Sequence, residues 1–401
     1  MLSRVFKAFQ YRNFAILWSG ACLSSIGTWM QIVAQSWLVL EISKSPFLLG
    51  LDTFLAQIPI LLFSLVGGVV ADRMDRRRLL LASQYVQMTC AFILAFLLYR
   101  HSVQIWHILI LSFVTGSAQA FGGPAYQALV PGLVKKEDLP NAIALNSIQF
   151  NLARVIGPVL GGLAFEKLGP VWCFGLNGVS FIAVIISLLL LRIDFTPSRT
   201  GVSMLTSMRE GFSFIKGQGA MAGLIILAFC MTGLGIPLIT FLPVFAKSIF
   251  QGGPETYTFL LAASGMGSVT GALIVAAIGH IKNKGQVALI MLIALGGAMG
   301  AFSFSKALPL SCVFLFIGGA ALIGGFAMIS SLVQLITTDE MRGRVMSVYN
   351  VAFRGGMPIG SLISGWLVPI YSAPHVIAAN GILLVLLGTY FLIFQRKVAA
   401  L

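Results

Sequence analysis

A chain of 401 residues that is 58% hydrophobic and 9% charged is not a soluble protein, because soluble domains carry about 25% charged residues. Lys and Arg exceed Asp and Glu by 26 − 12 = 14, yet no basic run interleaved with aromatics appears. The excess therefore reads as loop charge between membrane spans, not as a nucleic-acid surface.

Arg4, Lys7 and Arg12 precede the first apolar run, as in a signal peptide. The run lacks a convincing cleavage site and many more spans follow, so it is expected to stay as the first helix. Apolar segments of spanning length then fall at 14–41, 47–71, 79–99, 105–130, 140–165, 170–191, 221–246, 256–280, 286–304, 308–335, 343–371 and 375–394. Each has about the 20 residues that a bilayer core requires. The fold class is thus all-α, with twelve transmembrane helices in two pseudo-symmetric six-helix bundles. The expected division is 1–192, a linker at 193–219, and 220–401. In the linker, Leu205, Met208, Phe212 and Ile215 recur at helical spacing, which predicts an amphipathic helix on the membrane surface.

Counting basic residues in the connections places nineteen on the side of the termini and five on the other. The positive-inside rule then puts both termini in the cytoplasm of a multi-pass plasma-membrane protein. The two remaining basic residues lie inside spans. Ser147, Asn151, Arg154 and Pro158 share one helical face of span five, and Ser347, Asn350, Arg354 and Pro358 repeat the pattern in span eleven. The halves are therefore internal repeats.

Cys22, Cys90, Cys173, Cys230 and Cys312 each sit in an apolar segment, and neither they nor the scattered histidines have metal or disulfide spacing. No phosphate-cradling loop, metalloprotease motif or nucleophile elbow appears. The expected protein is not an enzyme and uses no cofactor. Two six-helix halves without an engine suggest a secondary transporter driven by a proton gradient. Its expected partners are an amphipathic small-molecule substrate and the bilayer, with the chain acting as a monomer and binding no nucleic acid. A lipid or lysophospholipid transporter is the nearest alternative; a receptor or an intramembrane enzyme is the alternative of a different kind.

Between spans two and three, Gly67 to Arg78 packs two carboxylates and four arginines into seven positions, 72–78. Gly68-x-x-Ala71-Asp72-Arg73-x-x-Arg76-Arg77 resembles the loop 2–3 signature of the major facilitator superfamily, with Asp75 where that pattern has glycine. The runs Pro124–Pro131, Leu139–Ala142, Arg154–Gly162 and Arg342–Ser347 resemble its drug-antiporter-like branch, which includes enterobactin and macrolide exporters. The resemblance covers essentially the whole chain. It implies alternating access and export, with Gly68, Asp72, Arg73, Arg76 and Arg77 forming a conformational gate in which Asp72 holds the start of span eleven near Thr338 to Arg344. Arg73 and Arg76 can pair with Asp72, Asp75, Glu137 or Asp138. The arginine that many proton-coupled members carry in helix 4 is missing from 111–120.

A desolvated carboxylate can take up and release a proton. Asp52, inside span two, is the leading candidate for proton coupling and Glu41 the second; a position in outer water or a pairing with Lys44 stays open for Asp52. The candidate substrate cavity comprises Thr28, Gln31, Gln35, Gln84, Asn151, Arg154, Ser330, Gln334, Asn350 and Arg354. For the amides and hydroxyls, cavity lining and interhelical bonding are both open. The arginines either hold an anionic substrate or tie helices within their own bundle. Mid-membrane, each costs at least roughly 2.5 kcal/mol.

Overall fold

The computed structural model describes residues 6–191, 204–277 and 283–401, except for the side chains at 64, 65, 69, 71–73 and 204–208. The architecture is all-α. The first six spans are α1 (Arg12–Ser43), α2 (Pro46–Arg73), α3 (Arg76–Tyr99), α4 (Ile105–Leu129), α5 (Leu139–Leu168) and α6 (Pro170–Leu190). The linker helix α7 (Met204–Gly217) precedes α8 (Gly219–Thr240), α9 (Leu242–Ser248), α10 (Pro254–Ala277), α11 (Lys284–Phe304), α12 (Leu308–Leu335), α13 (Arg342–Tyr371) and α14 (Ala373–Ile393). A short α15 (Arg396–Ala399) follows.

Eleven described helices are long and apolar enough to cross a membrane by composition alone. The twelfth span, α13, has the length, but Arg342, Arg344, Arg354 and its glycines, serines and prolines dilute its apolar character. The seventh span differs from its reading as one helix over 221–246. It breaks at Phe241, between α8 and α9, because Pro237 lies inside the last turn of α8 and Pro243 in the first turn of α9.

Two units emerge from the contacts: 1–43 with 55–201, and 44–54 with 202–401. The division cuts α2. Its opening turns belong to the second unit, where Gly50, lacking a side chain, lies against the backbone of Ser361 and Gly365 on α13. In the first unit α1 packs on α5 and α6, and α3 on α4 and α6. In the second, α8 packs on α13 and α14, and α11 on α12 and α14. First, third, fourth, fifth and sixth spans thus combine alike in each unit.

Small residues set the closest approaches. A Cβ at Gly157 or Gly161 of α5 would run into Trp29 or Met30 of α1. Likewise, Gly356 and Gly360 of α13 admit the backbone of α8 around Phe229 to Gly233. Without a hydrophobic driving force between helices in lipid, such backbone-level packing is a main source of association. The connections repeat as well. Gly169 (φ 87°) both closes α5 and opens α6, and Ser372 (φ 71°) does the same between α13 and α14.

Candidate functional site

The loop between α2 and α3 is organised by residues on either side of its acid. Asp75, the departure from the family pattern, caps α3: its Oδ1 accepts from the backbone N–H of Arg77 at 2.9 Å and of Arg78 at 3.4 Å. Arg76 Nη1 donates to the Ala128 carbonyl at 2.9 Å, and Arg77 Nη2 to the Leu189 carbonyl at 2.8 Å. These carbonyls lie in the last turns of α4 and α6, where partial negative charge gathers and a cation is favoured. Two of the five gate residues therefore fasten the start of α3 to two helix ends of the same unit. Gly68 has open space around it, whereas a Cβ at Gly67 would strike the Ala120 backbone of α4. The side chains of Asp72 and Arg73 lie outside the described residues.

Asp138, offered as a partner for Arg73 or Arg76, has three other donors. Lys7 Nζ lies at 2.8 Å, Tyr11 Oη donates at 2.8 Å and Gln10 Nε2 at 3.1 Å. Asn141 Oδ1 accepts from the Ala8 N–H at 2.8 Å. The segment before α1 is thereby docked on the start of α5. The hydrogen bond and charge of Asp138 raise the Lys7 ammonium above its ordinary 10.5. Burial, and then Asp138, raise the Tyr11 phenol.

The second unit has a matching brace. Glu210 of α7 pairs with Arg344 at 2.9 Å, and a Cβ at Gly211 would meet the Arg344 backbone. The segment before the unit's first complete span is again tied to the start of its fifth, with the charges exchanged. On α7 itself, Ile215 is buried while Phe212 is 63% exposed, so these two members of the expected apolar face separate. Leu205 and Met208 lie outside the described side chains.

Within the first unit's spans, the polar residues form an amide chain. Ser180 Oγ donates to Asn177 Oδ1 at 3.1 Å, and Asn177 Nδ2 to Gln31 Oε1 at 2.6 Å. Gln31 Nε2 donates to Gln35 Oε1 at 3.3 Å, and Gln35 Nε2 to Ser112 Oγ at 2.8 Å. The chain links α6, α1 and α4. Gln31 and Gln35 are accordingly interhelical bonding residues. A second set joins Ser25, Gln149, Tyr126 and Asn146 across α1, α5 and α4. Thr28 and Asn151 bond backbone carbonyls one turn back on their own helices. Gln84 Oε1 is buried without a hydrogen bond among the described residues. Arg154 is half-buried with its guanidinium 5.7 Å from the centroid of the Trp29 ring, a cation–π contact between α5 and α1.

In the second unit, Ser330 and Gln334 line a groove of about 570 Å³ with Phe326, Ser331, Leu335 and Arg342. Phe326 lies tilted against Phe353 at 4.1 Å between centroids, and Tyr349 lies 6.3 Å from each. Asn350 and Arg354 are exposed. Arg354 makes no hydrogen bond or ion pair among the described residues. Asp52 is 6% exposed and engaged in an interaction of its own, while Glu41 is exposed. Met30, Phe241 and Met328 are buried packing residues.

Signals for several of these contacts were present in the sequence. Asn177 and Gln149 are amides inside apolar spans, and Asp75 precedes a helix in an N-cap position. Lys7 and Asp138, by contrast, are 131 positions apart, and only the fold brings them together.

Two units built on one packing plan, each with six spans, define a multi-pass membrane transporter of the major facilitator class. The chain belongs to the transmembrane secretion effector family of that superfamily, whose profile it matches over residues 3–400. Its relatives include a staphyloferrin A transporter of Staphylococcus aureus (strain NCTC 8325 / PS 47), 24% identical over 94% of this chain and 95% of the relative. The multidrug efflux pump Tap of Mycolicibacterium fortuitum is 26% identical over 96% and 94%. The enterobactin exporter EntS of Shigella boydii serotype 4 (strain Sb227) is 27% identical over 88% and 84%. Among solved structures, a bacterial homologue of the human lysosomal transporter Spinster, inward-facing and occupied, superposes with a TM-score of 0.75 at 14% identity, covering 96% of this chain and 97% of that one.

Proposed function

We propose that this transporter is a proton-coupled exporter of an amphipathic small molecule, working by alternating access, and that Asp52 is its proton site. The observation that carries the reading is the burial of Asp52. It is 6% exposed and is the buried carboxylate inside a described spanning helix, whereas Glu41 and Glu166 are exposed. A carboxylate screened from water in one state of the cycle and reached by water in another can take up and release a proton as its surroundings change. The export direction is supported by the relatives named as an efflux pump and an exporter. The nineteen-to-five charge asymmetry supports placing both termini in the cytoplasm.

The test is flux in proteoliposomes across a substrate panel, with and without an imposed pH gradient. Gradient-dependent movement of at least one amphiphile supports the reading. Flux of the panel that ignores the gradient refutes proton coupling, and binding without flux refutes transport. Asp72 remains the proposed gate: Asp72→Asn is expected to slow transport at least tenfold at unchanged expression, and unimpaired transport removes it from that role.

A further inference from the structure

Arg154 and Arg354 occupy matching places in the repeat, and their surroundings differ. Arg154 is half-buried over Trp29, so its charge has a structural use inside its own unit. Arg354 is exposed and has neither an acid nor a carbonyl partner among the described residues. It lies twelve residues into α13, or about 18 Å along the axis at 1.5 Å per residue. At that depth a guanidinium left against hydrocarbon is strongly unfavourable, and ionisable groups so placed mark substrate or ion routes.

Two further observations give the sign of the ligand. From Gly219 to Ile393 the carboxylates are Glu255, in the first turn of α10, and Asp339 and Glu340, in the connection before α13. No carboxylate stands inside a span there. Asp52, which belongs to this unit, is buried and already engaged. The groove along α12 repeats the pattern. Arg342, Ser330, Ser331 and Gln334 offer donors beside the apolar walls of Phe326 and Leu335, and none of the lining residues is an acid. Arg342 pairs with Asp339, but Asp339 is 86% exposed, and a water-exposed pair of this kind yields readily to a better-placed anion. A cation in this half would meet Arg354, which has no acid beside it among the described residues. An organic anion would find a guanidinium fork, hydroxyls and an apolar surface.

We infer that the transported amphiphile is an organic anion, with a carboxylate, sulfonate or phosphate head and an apolar body, and that Arg354 holds its charge. Arg354 is thereby the specificity-determining residue of the pair, and Arg154 is not. The inference rests on the proposed transport of an amphipathic small molecule.

The test uses two dyes on one xanthene skeleton, carboxyfluorescein as the anion and rhodamine 6G as the cation, with the full chain in proteoliposomes under a pH gradient. The expected result is that wild-type protein moves carboxyfluorescein. In Arg354→Gln the ratio of carboxyfluorescein to rhodamine 6G flux falls at least tenfold, and Arg354→Lys retains most of the wild-type ratio. Arg354→Lys also controls for folding, since it keeps the charge at similar bulk. An Arg354→Gln ratio equal to wild type overturns the inference, as does wild-type protein that moves rhodamine 6G alone. If carboxyfluorescein binds, by fluorescence anisotropy, and Arg354→Gln abolishes binding, yet neither dye is moved, then transport fails as a reading and the anion assignment stands.

Discussion

Single residues in this protein separate structural from functional charge. Asp75 stands where its superfamily usually has glycine, and here it caps α3 through two backbone donors. Replacing it with alanine should cost about 1 kcal/mol, the usual loss of a helix N-cap, read as a lowered unfolding temperature of the purified protein. Asn177 feeds the amide chain through a 2.6 Å bond to Gln31. Asn177→Ala leaves the half-buried Gln31 Oε1 short of a donor, and about 1 kcal/mol of stability should be lost, while Asn177→Asp should be no rescue because it removes the donor. The Lys7–Asp138 brace has a pH signature. Lys7 titrates above its ordinary 10.5 because Asp138 holds its proton. Its contribution is complete below that value and fades as pH rises through the elevated one. Protease protection of the segment before α1 should therefore be flat from neutrality to about pH 10 and decline only above it; a decline near pH 7 contradicts the pairing.

Helix by helix, close approach and connection geometry govern. Gly360 sits against the backbone of Gly233, with no space for a side chain. Gly360→Leu should cost about 1–3 kcal/mol or more by overpacking, and a neutral result in a thermal-unfolding assay would contradict the α8–α13 packing. Ser372 opens α14 at φ 71° and ψ 154°, a region nearly confined to glycine that costs about 1–3 kcal/mol for other residues. Its counterpart in the first half is Gly169. Ser372→Gly should thus stabilise the protein, by about 1 kcal/mol after loss of the Ser372–His375 bond. The helices were largely legible from apolar run lengths because lipid demands unbroken hydrogen-bonded spans. Pro237 and Pro243 mark an interruption near Phe241, since proline bends or breaks a helix, but neither fixes Leu242 as the residue at which the new helix starts.

For the whole molecule, the repeat is the organising fact. A shared face around Arg154 and Arg354 disclosed it in the sequence, and the same pairs of spans pack in each unit. Both units also brace the segment before the first complete span to the start of the fifth, through Asp138 in one and Arg344 in the other. That correspondence was hidden, because the charges are exchanged and the partners are far apart in sequence. The candidate site was legible only in kind. Gln31 and Gln35 stand four positions apart among the candidate cavity residues, but spacing alone does not distinguish a cavity wall from an interhelical bond. That distinction needs Asn177 and Ser112 in place. The matching arginines likewise look equivalent in sequence and differ in surroundings.

Proton coupling through Asp52 is the central claim. Its most direct test is proton movement itself: a pH-sensitive dye inside proteoliposomes, recorded as carboxyfluorescein is added to wild-type and Asp52→Asn protein. Substrate addition should shift internal pH with the wild type and leave it unchanged with Asp52→Asn, while carboxyfluorescein still binds. A pH shift of wild-type size in Asp52→Asn would contradict the claim.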